Sequence, residues 1–289
     1  MDKSRAADVS VVIPFYNGNK YIKPMLSLMQ KNAENMYPKK LEVVLVNDSP
    51  DCDMQIEDGL CPDVNLRFCK NDKNYGIHLS RVRGISEATG EYILMLDQDD
   101  RIVENAISLQ LEAIGEADII VSNGMDENPS SKGVIYHSIA HQRAVLKRKN
   151  YFMIGCQIVS PGQCLIRRDA IPKEWFMHVI EKNGADDYFL WLLLLNNHTK
   201  WTLQYEQLYL HRNTGDNVSS DFKQMKESTL AVISLLKKLR RVSEKEERMC
   251  QKRLQMREKY EGKTSYKKWM VYLCYPQFAF RLMLSRYGL

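Results

Sequence analysis

Three aspartates in one short segment are the residues best placed to do chemistry. Asp97, Asp99 and Asp100 follow an apolar run over residues 92–96. A continuous apolar run that ends in polar residues is typical of a strand covered on both faces. Neighbouring carboxylates repel one another unless a cation lies among them, and Mg²⁺ and Mn²⁺ prefer oxygen ligands. The segment therefore predicts a metal site with positions open to phosphate oxygens.

A structural alternative exists for the same carboxylates. Aspartate is favoured at helix N-caps, so Asp99 and Asp100 would merely cap a helix that begins near Ile102. In open α/β sheets, however, ligands bind beyond the ends of such strands. The rest of the chain has to decide between a cap and a ligand site.

The elements that must position these aspartates alternate in type along residues 1–122. Strands are predicted over residues 9–14, 41–46, 64–68, 91–97 and 118–122, and helices over 20–35, 76–88 and 103–115. This alternation builds right-handed βαβ units around a parallel sheet, so residues 1–122 are predicted to form a nucleotide-binding α/β half. No GxGxxG motif follows the first strand and no GxxxxGK[ST] motif occurs, which removes the main support for dinucleotide and P-loop sites.

The remainder of the chain divides by pattern and by charge. A strand is predicted over residues 162–167, an apolar helix over 186–196 and an alternating edge strand over 201–210, whereas 124–150 is polar and poorly periodic. Residues 1–222 hold 24 Lys/Arg against 30 Asp/Glu, and residues 223–289 hold 17 against 6. We therefore predict one domain over 1–222, with an acceptor half at 123–222, and a basic helical extension over 223–289. Such an extension indicates an anionic partner, either a membrane surface or nucleic acid.

Cysteine usage and hydropathy indicate the compartment. The seven cysteines fit neither a disulfide framework nor a zinc spacing, so free thiols in a reducing compartment are the simpler interpretation. No signal-peptide core precedes the first strand, and no apolar run approaches the roughly 18 residues of a membrane span. We therefore expect a cytoplasmic protein.

Four ordered blocks of the sequence resemble the inverting family 2 glycosyltransferases. The blocks are residues 9–16, 46–49, 74–93 and 96–100, and the similarity extends over roughly residues 8–222. The resemblance implies a GT-A fold and the transfer, with inversion, of a sugar from a UDP-sugar to a hydroxyl of a glycan or lipid-linked glycan. It also implies Mn²⁺ or Mg²⁺ as cofactor, to neutralise charge on the departing diphosphate. Such enzymes commonly build bacterial surface polysaccharides.

The resemblance assigns donor binding to residues near successive strand ends. Pro14, Tyr16 and Asp48 match positions that hold the base and ribose, where a ring can stack and a carboxylate can accept hydrogen bonds. Arg81 matches the family's arginine near the diphosphate, because a guanidinium fork can donate twice to phosphate. The structural alternatives are a Pro-Tyr-Asn turn, an Asx-turn at Asp48 and a solvated helix arginine.

The same resemblance divides the metal site between two segments. Asp97 matches a carboxylate of the ribose or metal shell, and Asp99 matches the direct metal ligand. Arg212 lies in a segment that resembles the loop that closes over the diphosphate. Thr214 stands where the family usually has a metal-binding histidine, so His211 is the expected substitute. This departure leaves the strength of metal dependence open.

Two further aspartates match the catalytic segment of the family. Asp187, aligned on Leu190 and Trp191, falls at the position of the general base that takes the proton of the acceptor hydroxyl. Asp186 replaces the usual glutamate. A partly desolvated site would raise the pKa of such a base towards neutrality. Helix capping and the helix dipole are the structural alternative.

Other functions and partners remain to be weighed. A non-catalytic scaffold of the same fold would bind the donor without turnover, and a sugar nucleotidyltransferase would need a Gly-rich basic loop that residues 14–18 do not supply. Residues 266–287 interleave apolar and basic side chains, which suits an interfacial helix pair on anionic lipid. Packing on its own domain or on a second subunit is the alternative. Nucleic acid is not expected, because the acidic body lacks a basic face. We expect peripheral association with the inner face of the membrane.

Overall fold

A computed structural model of the chain describes residues 6–128, 131–212, 221–261 and 265–287. Within these residues, nine strands form one mixed sheet. The strands are β1 (Val9–Phe15), β2 (Leu41–Asn47), β3 (Val64–Lys70), β4 (Tyr92–Met95), β5 (Arg101–Ile102), β6 (Ile119–Asn128), β7 (Ser131–Val134), β8 (Cys164–Arg167) and β9 (Trp201–Arg212).

The order of the strands brings the predicted strand ends together. The sheet runs β3-β2-β1-β4-β8-β6-β9-β5, with β7 paired to β6. The first four positions are mutually parallel, β8 is antiparallel to both of its neighbours, and β6 and β9 are parallel. Because β2, β1 and β4 are adjacent and parallel, their carboxyl ends meet at one edge of the sheet. The predicted α/β class with a mainly parallel sheet is confirmed.

The described residues also form the α-helices α1 to α11. They are α1 (Asn19–Met36), α2 (Ile77–Glu87), α3 (Ala106–Ile114), α4 (Ile139–Gln142), α5 (Arg148–Met153), α6 (Lys173–Met177), α7 (Asp186–Asn196), α8 (Phe222–Lys238), α9 (Glu244–Tyr260), α10 (Ser265–Cys274) and α11 (Pro276–Arg286). Every residue of β1 and β2 is buried, as central strands require. Gly84 lets α2 approach β1 closely, because a Cβ there would overlap Val12.

Two predictions about local structure are wrong. The helix predicted over 103–115 begins only at Ala106, because Arg101 and Ile102 pair with β9 as strand β5. The predicted edge strand, β9, lies between β6 and β5, although β5 pairs with only two of its residues, 209 and 210. The region 124–150 contains a hairpin of β6 and β7. The sequence Pro129-Ser130-Ser131 predicts a loop tip in this region, and residues 129 and 130 lie outside the described residues.

The chain divides into two compact units that are discontinuous in sequence. The first comprises residues 1–135, 160–181 and 199–215, and the second comprises 136–159, 182–198 and 216–289. The first unit contains the sheet. In the second unit, α5 packs against α7 and α9, and α8 packs against α7 and α9. Helix α8 begins next to the predicted boundary at residue 222, and the boundary itself stays a prediction.

None of the helices in the described part of the chain is both long enough and apolar enough to cross a bilayer.

Candidate active site

The acidic segment turns directly after β4 and does not cap a helix. The Asp100 amide donates to the Asp97 carbonyl over 3.1 Å, which closes a turn. Residue 105 precedes α3, and its side chain makes no cap hydrogen bond. The capping hypothesis for Asp99 and Asp100 is therefore wrong. All three carboxylates lie at the end of β4, where β1 and β2 also end.

Asp100 fastens this turn to the end of β9. It is buried, with an exposed fraction of 1%. Its carboxylate accepts from the Tyr209 hydroxyl, from the His211 ring nitrogen Nδ1 at 3.1 Å and from the Arg212 amide at 3.0 Å. Because a carboxylate can only accept, Nδ1 of His211 must carry the proton. The structure thus brings His211 and Arg212 to the acidic segment.

Asp97 forms a part-buried ion pair with Arg81. The guanidinium Nη2 donates to Asp97 Oδ1, and Arg81 is only 3% exposed. The alternative of a solvated helix arginine is therefore wrong. The Ser160 hydroxyl lies 3.4 Å from the other Asp97 oxygen. A phosphate that reached Arg81 would meet a guanidinium already oriented by a carboxylate.

Asp99 is the carboxylate of this cluster whose ionised form is disfavoured. Burial, together with the negative charges of Asp100 and Asp97, raises its pKa to about 6. The other two carboxylates have cationic or hydrogen-bonding partners, so the repulsion falls on Asp99. A cation placed beside Asp99 would relieve that repulsion.

His211 is polarised by the same cluster. Burial lowers its pKa, but the hydrogen bond to Asp100 and the charge of that carboxylate outweigh burial and raise the pKa above its usual value. A carboxylate that orients one ring nitrogen leaves Nε2 as the possible metal ligand. Oxygen donors from Asp97 and Asp99 with one imidazole suit Mn²⁺ or Mg²⁺. Across the described ranges, no group of three His, Cys, Asp or Glu side chains is arranged to hold a metal ion, so this ligand set stays a prediction.

The end of β1 is held by the residue between the first two aspartates. Gln98 Oε1 accepts from the Tyr16 amide at 3.0 Å, and Gln98 Nε2 donates to the Tyr16 carbonyl at 3.2 Å. This clamp fixes the backbone of Tyr16 and leaves its side chain 52% exposed. Pro14 is buried within β1 opposite Val46. The ring of Tyr16 is therefore available for stacking on a planar ligand.

Asp48, at the end of β2, is engaged by the protein itself. Its carboxylate accepts from the Asn71 side chain at 2.7 Å, the Tyr75 amide at 2.9 Å and the Gly76 amide at 2.8 Å. The Asx-turn expected at Asp48 belongs to Asn47 instead, which accepts from the Ser49 amide. Asp48 thus fixes the segment that leads into α2, the helix of Arg81. Its predicted contact with the nucleotide stays a prediction.

Asp186 and Asp187 belong to the second compact unit, whereas the carboxylates after β4 belong to the first. They form the first turn of α7, and residue 185 stands at its N-cap position, so neither aspartate is the cap. Asp186 is 4% exposed and Asp187 is half-buried. One Asp187 oxygen accepts from the Tyr188 amide at 2.6 Å, and the other lies 3.8 Å from the Cys156 thiol. The helix dipole favours negative charge at both positions.

Sequence reasoning missed three residues of the site. Gln98 stood inside the acidic motif, and its place between aspartates was the available signal. Tyr209 precedes His211 by two residues on one strand, so the two share a face of β9. Ser160 carries no such signal, because it lies in an irregular segment before β8.

The structure thus combines a mixed, mainly parallel sheet with a carboxylate cluster at the end of a central strand. The family described as Glycosyl transferase family 2 matches residues 10–175. This chain belongs to that family, which confirms the resemblance in the sequence.

Several known proteins are similar to this chain. The glycosyltransferase GlyG of Streptococcus pneumoniae is 32% identical over 119 residues, which cover 40% of this chain and 38% of GlyG. WfgD of Escherichia coli, a UDP-Glc:alpha-D-GlcNAc-diphosphoundecaprenol beta-1,3-glucosyltransferase, is 23% identical over 191 residues, covering 65% of this chain and 70% of WfgD. Some curated relatives are much longer than this chain. The match to an uncharacterized glycosyltransferase of Rickettsia bellii, for example, covers 47% of this chain and only 19% of that protein.

A solved structure confirms the GT-A fold. The crystal structure of S. aureus TarS 1-349 in complex with UDP-GlcNAc has a TM-score of 0.62 and 21% sequence identity, covering 79% of this chain and 66% of TarS 1-349.

Proposed function

We propose that this protein transfers a hexose or N-acetylhexosamine, with inversion, from a UDP-sugar to a hydroxyl of a glycan or lipid-linked glycan in surface polysaccharide biosynthesis. The observation that carries the proposal is the strained carboxyl of Asp99, at the edge of the sheet where three parallel strands end. Burial and two neighbouring aspartates hold its pKa at about 6. Such a site favours a ligand that brings positive charge with it.

The donor is argued from groups at the same edge. The exposed ring of Tyr16 offers a stacking surface for a base, and the buried guanidinium of Arg81 offers a phosphate donor once it leaves or shares Asp97. Support comes from relatives, since the name of WfgD specifies UDP-Glc and TarS was crystallised with UDP and UDP-GlcNAc.

A divalent cation, Mn²⁺ or Mg²⁺, completes the proposed site. Asp99 and Asp97 would hold it through oxygen, with His211 as the nitrogen ligand that Asp100 orients. When bound, the cation neutralises charge that builds on the departing diphosphate. Arg212, whose amide is fixed by Asp100, supplies a second positive charge for the diphosphate.

The proposed base is Asp187. Its carboxylate takes the proton of the acceptor hydroxyl, whose oxygen attacks the anomeric carbon while the bond from that carbon to the UDP oxygen breaks on the opposite face. The Asp187 carboxylate is half-buried, so it remains open to an acceptor hydroxyl. Buried Asp186 would stabilise the start of α7, which carries the base.

The acceptor and the location follow from the same proposal. The name of WfgD specifies a sugar on diphosphoundecaprenol as acceptor. A lipid-linked acceptor places the reaction at a membrane surface. Residues 223–289, with 17 Lys/Arg against 6 Asp/Glu, supply the charge for contact with anionic lipid. We place the protein in the cytoplasm, peripheral to the inner face of the membrane.

Release of UDP from a panel of UDP-sugars tests the proposal without a known acceptor. With Mn²⁺ or Mg²⁺ present, we expect slow hydrolysis of one donor and at least about a hundredfold loss in Asp99→Asn. Asp58→Asn, at an exposed position, is the matched control and should keep wild-type rates. A comparable loss in Asp187→Asn would support its role as base.

Binding decides the case in which no donor is hydrolysed. Calorimetric titration with UDP and metal separates a scaffold, which binds without turnover, from a protein of another function. Absence of UDP binding in the wild type would contradict the nucleotide-sugar proposal.

A further inference from the structure

The two C-terminal helices expose a row of large apolar side chains. The exposed fractions are 50% for Met270, 61% for Leu273, 58% for Phe280, 50% for Met283 and 68% for Tyr287. Residues 280 and 283 share one face of α11 by helical spacing, and Tyr287 follows the last residue of that helix. Helix α10, which packs against α11, adds the other two. We call these five side chains the apolar ridge.

Other residues of the same helices attach them to the second unit. Phe278 is 2% exposed and Ser285 is 3% exposed, so one side of α11 is buried. Arg281 Nε donates to the Asn150 side chain over 2.7 Å, which ties α11 to α5. The helices are therefore docked through a different face, and packing on their own unit does not account for the ridge.

The charge around the ridge identifies the kind of surface that would cover it. Residues 262–289 contain five Lys/Arg and no Asp or Glu. In a symmetric dimer through the ridge, each copy would face the same cations with no carboxylate from this segment to pair them. An anionic lipid surface supplies negative charge and apolar depth together. The tyrosines and Trp269 of the segment are residue types enriched at membrane interfaces.

We infer that the apolar ridge inserts into the interfacial layer of an anionic phospholipid bilayer, to which the net positive charge of residues 223–289 attracts the protein. This inference deepens the proposed function, because it specifies which residues bring the enzyme to a lipid-linked acceptor. It also separates two modes of contact. Adsorption by charge alone would depend on the whole extension, whereas insertion depends on the ridge.

Co-sedimentation of the full chain with vesicles tests the inference. The vesicles contain phosphatidylcholine with about 30% phosphatidylglycerol, and pure phosphatidylcholine vesicles serve for comparison. We expect the wild type to bind the anionic vesicles and the double variant Phe280→Ser/Met283→Ser to bind at least about tenfold more weakly. The matched control is Phe68→Ser/Met177→Ser, since these side chains lie outside the C-terminal helices and are 53% and 67% exposed.

Several results would overturn the inference. Equal vesicle binding by wild type and the ridge variant would show that insertion plays no part. A dimer of the wild type that the ridge variant converts to monomer, without vesicle binding by either, would assign the ridge to a second copy. Because this assay contains no sugar nucleotide, its outcome is independent of donor hydrolysis.

A labelling measurement on the unmodified chain guards against misfolded variants. Cys274 is the last residue of α10 and is exposed, as is Cys156 in another part of the second unit. With anionic vesicles present, a polar maleimide should modify Cys274 at least about fivefold more slowly and Cys156 at an unchanged rate. Unchanged labelling of Cys274 on vesicle-bound protein would contradict insertion of the ridge.

Discussion

The neighbouring residues Asp99 and Asp100 have opposite effects on the stability of the fold. Asp100 is buried and satisfied by three donors, whereas Asp99 receives the repulsion of the cluster. The first carboxylate therefore stabilises the contact between the turn after β4 and the end of β9. The second opposes folding when it is ionised and would gain most from the proposed cation.

Metal affinity should consequently depend on pH in a defined range. Below the Asp99 pKa of about 6, the carboxyl is protonated in the metal-free protein and a cation must displace that proton. We expect the apparent affinity for Mn²⁺ to be constant above pH 7 and to fall about tenfold per pH unit below pH 6. Calorimetric titration from pH 5 to 8 measures it. A flat profile would separate Asp99 from the metal.

Asp99→Asn should stabilise the metal-free protein. The folded pKa, about 6, exceeds the ordinary value of 3.8, so ionised Asp99 opposes folding above pH 6 and the penalty vanishes as pH falls towards 4. After a discount for partial exposure, we expect a gain of about 1 kcal/mol at pH 8 and none at pH 4. Urea unfolding at both pH values measures the difference.

The adjacent position supplies the contrast. Asp100→Ala leaves the Tyr209 hydroxyl and the Arg212 amide without their acceptor, so we expect a loss of about 2–4 kcal/mol in the free energy of unfolding. Stabilisation by both substitutions would mean that net charge alone governs this turn.

At the scale of elements, α9 braces the start of α7 through Arg253. This buried guanidinium donates to the Tyr151 carbonyl at 3.2 Å and lies over the Tyr188 ring at 5.7 Å. A Cβ at Gly155 would lie 2.6 Å from its Nη1. Tyr188 follows Asp187, so the brace supports the residue next to the proposed base.

Arg253→Ala should therefore destabilise the second unit and slow transfer. We expect a loss of about 3 kcal/mol, from lost packing and the lost hydrogen bond to the Tyr151 carbonyl, with a larger fall in kcat than in KM. Arg248→Ala, whose side chain is 64% exposed on the same helix, is the control. Unfolding curves and donor turnover distinguish the two. An equal effect at both positions would contradict the stabilising role of Arg253.

Elements whose patterns report burial could be predicted from the sequence, and those that depend on partners could not. Helix α7 has the predicted bounds, because its apolar run requires burial on all sides. Strand β5 was missed because two residues carry no periodicity, and only pairing with β9 makes them a strand. The pairing of Arg81 with Asp97 could not be predicted either, because it also depends on a contact between separate elements of the fold. The cluster of aspartates could be predicted, because the buried run of β4 leads directly into it along the chain.

For the whole molecule, the discontinuous second unit predicts what truncation does. Arg148 of α5 donates to Glu246, to the Leu192 carbonyl and to the Arg241 carbonyl, so one side chain joins three segments of that unit. Val232 and Leu254, of α8 and α9, are buried. A chain that ends at residue 222 loses these partners, and we expect it to aggregate or to expose α5 and α7 to protease.

Limited proteolysis of the truncated chain, with the full chain as control, checks this expectation. Survival of residues 136–159 and 182–198 as a protected core would show that the C-terminal helices are dispensable for folding.

The interleaving of the two units also has a consequence during synthesis. The ribosome delivers α7 about 60 residues before the end of α9. At roughly 5–20 residues per second, the most apolar helix of the unit waits several seconds for its partner. The sheet, by contrast, has its last strand at residue 212. The nascent chain therefore holds the complete set of described strands, with the proposed nucleotide-binding edge, while an apolar helix is still uncovered, and that interval is when a chaperone would be needed.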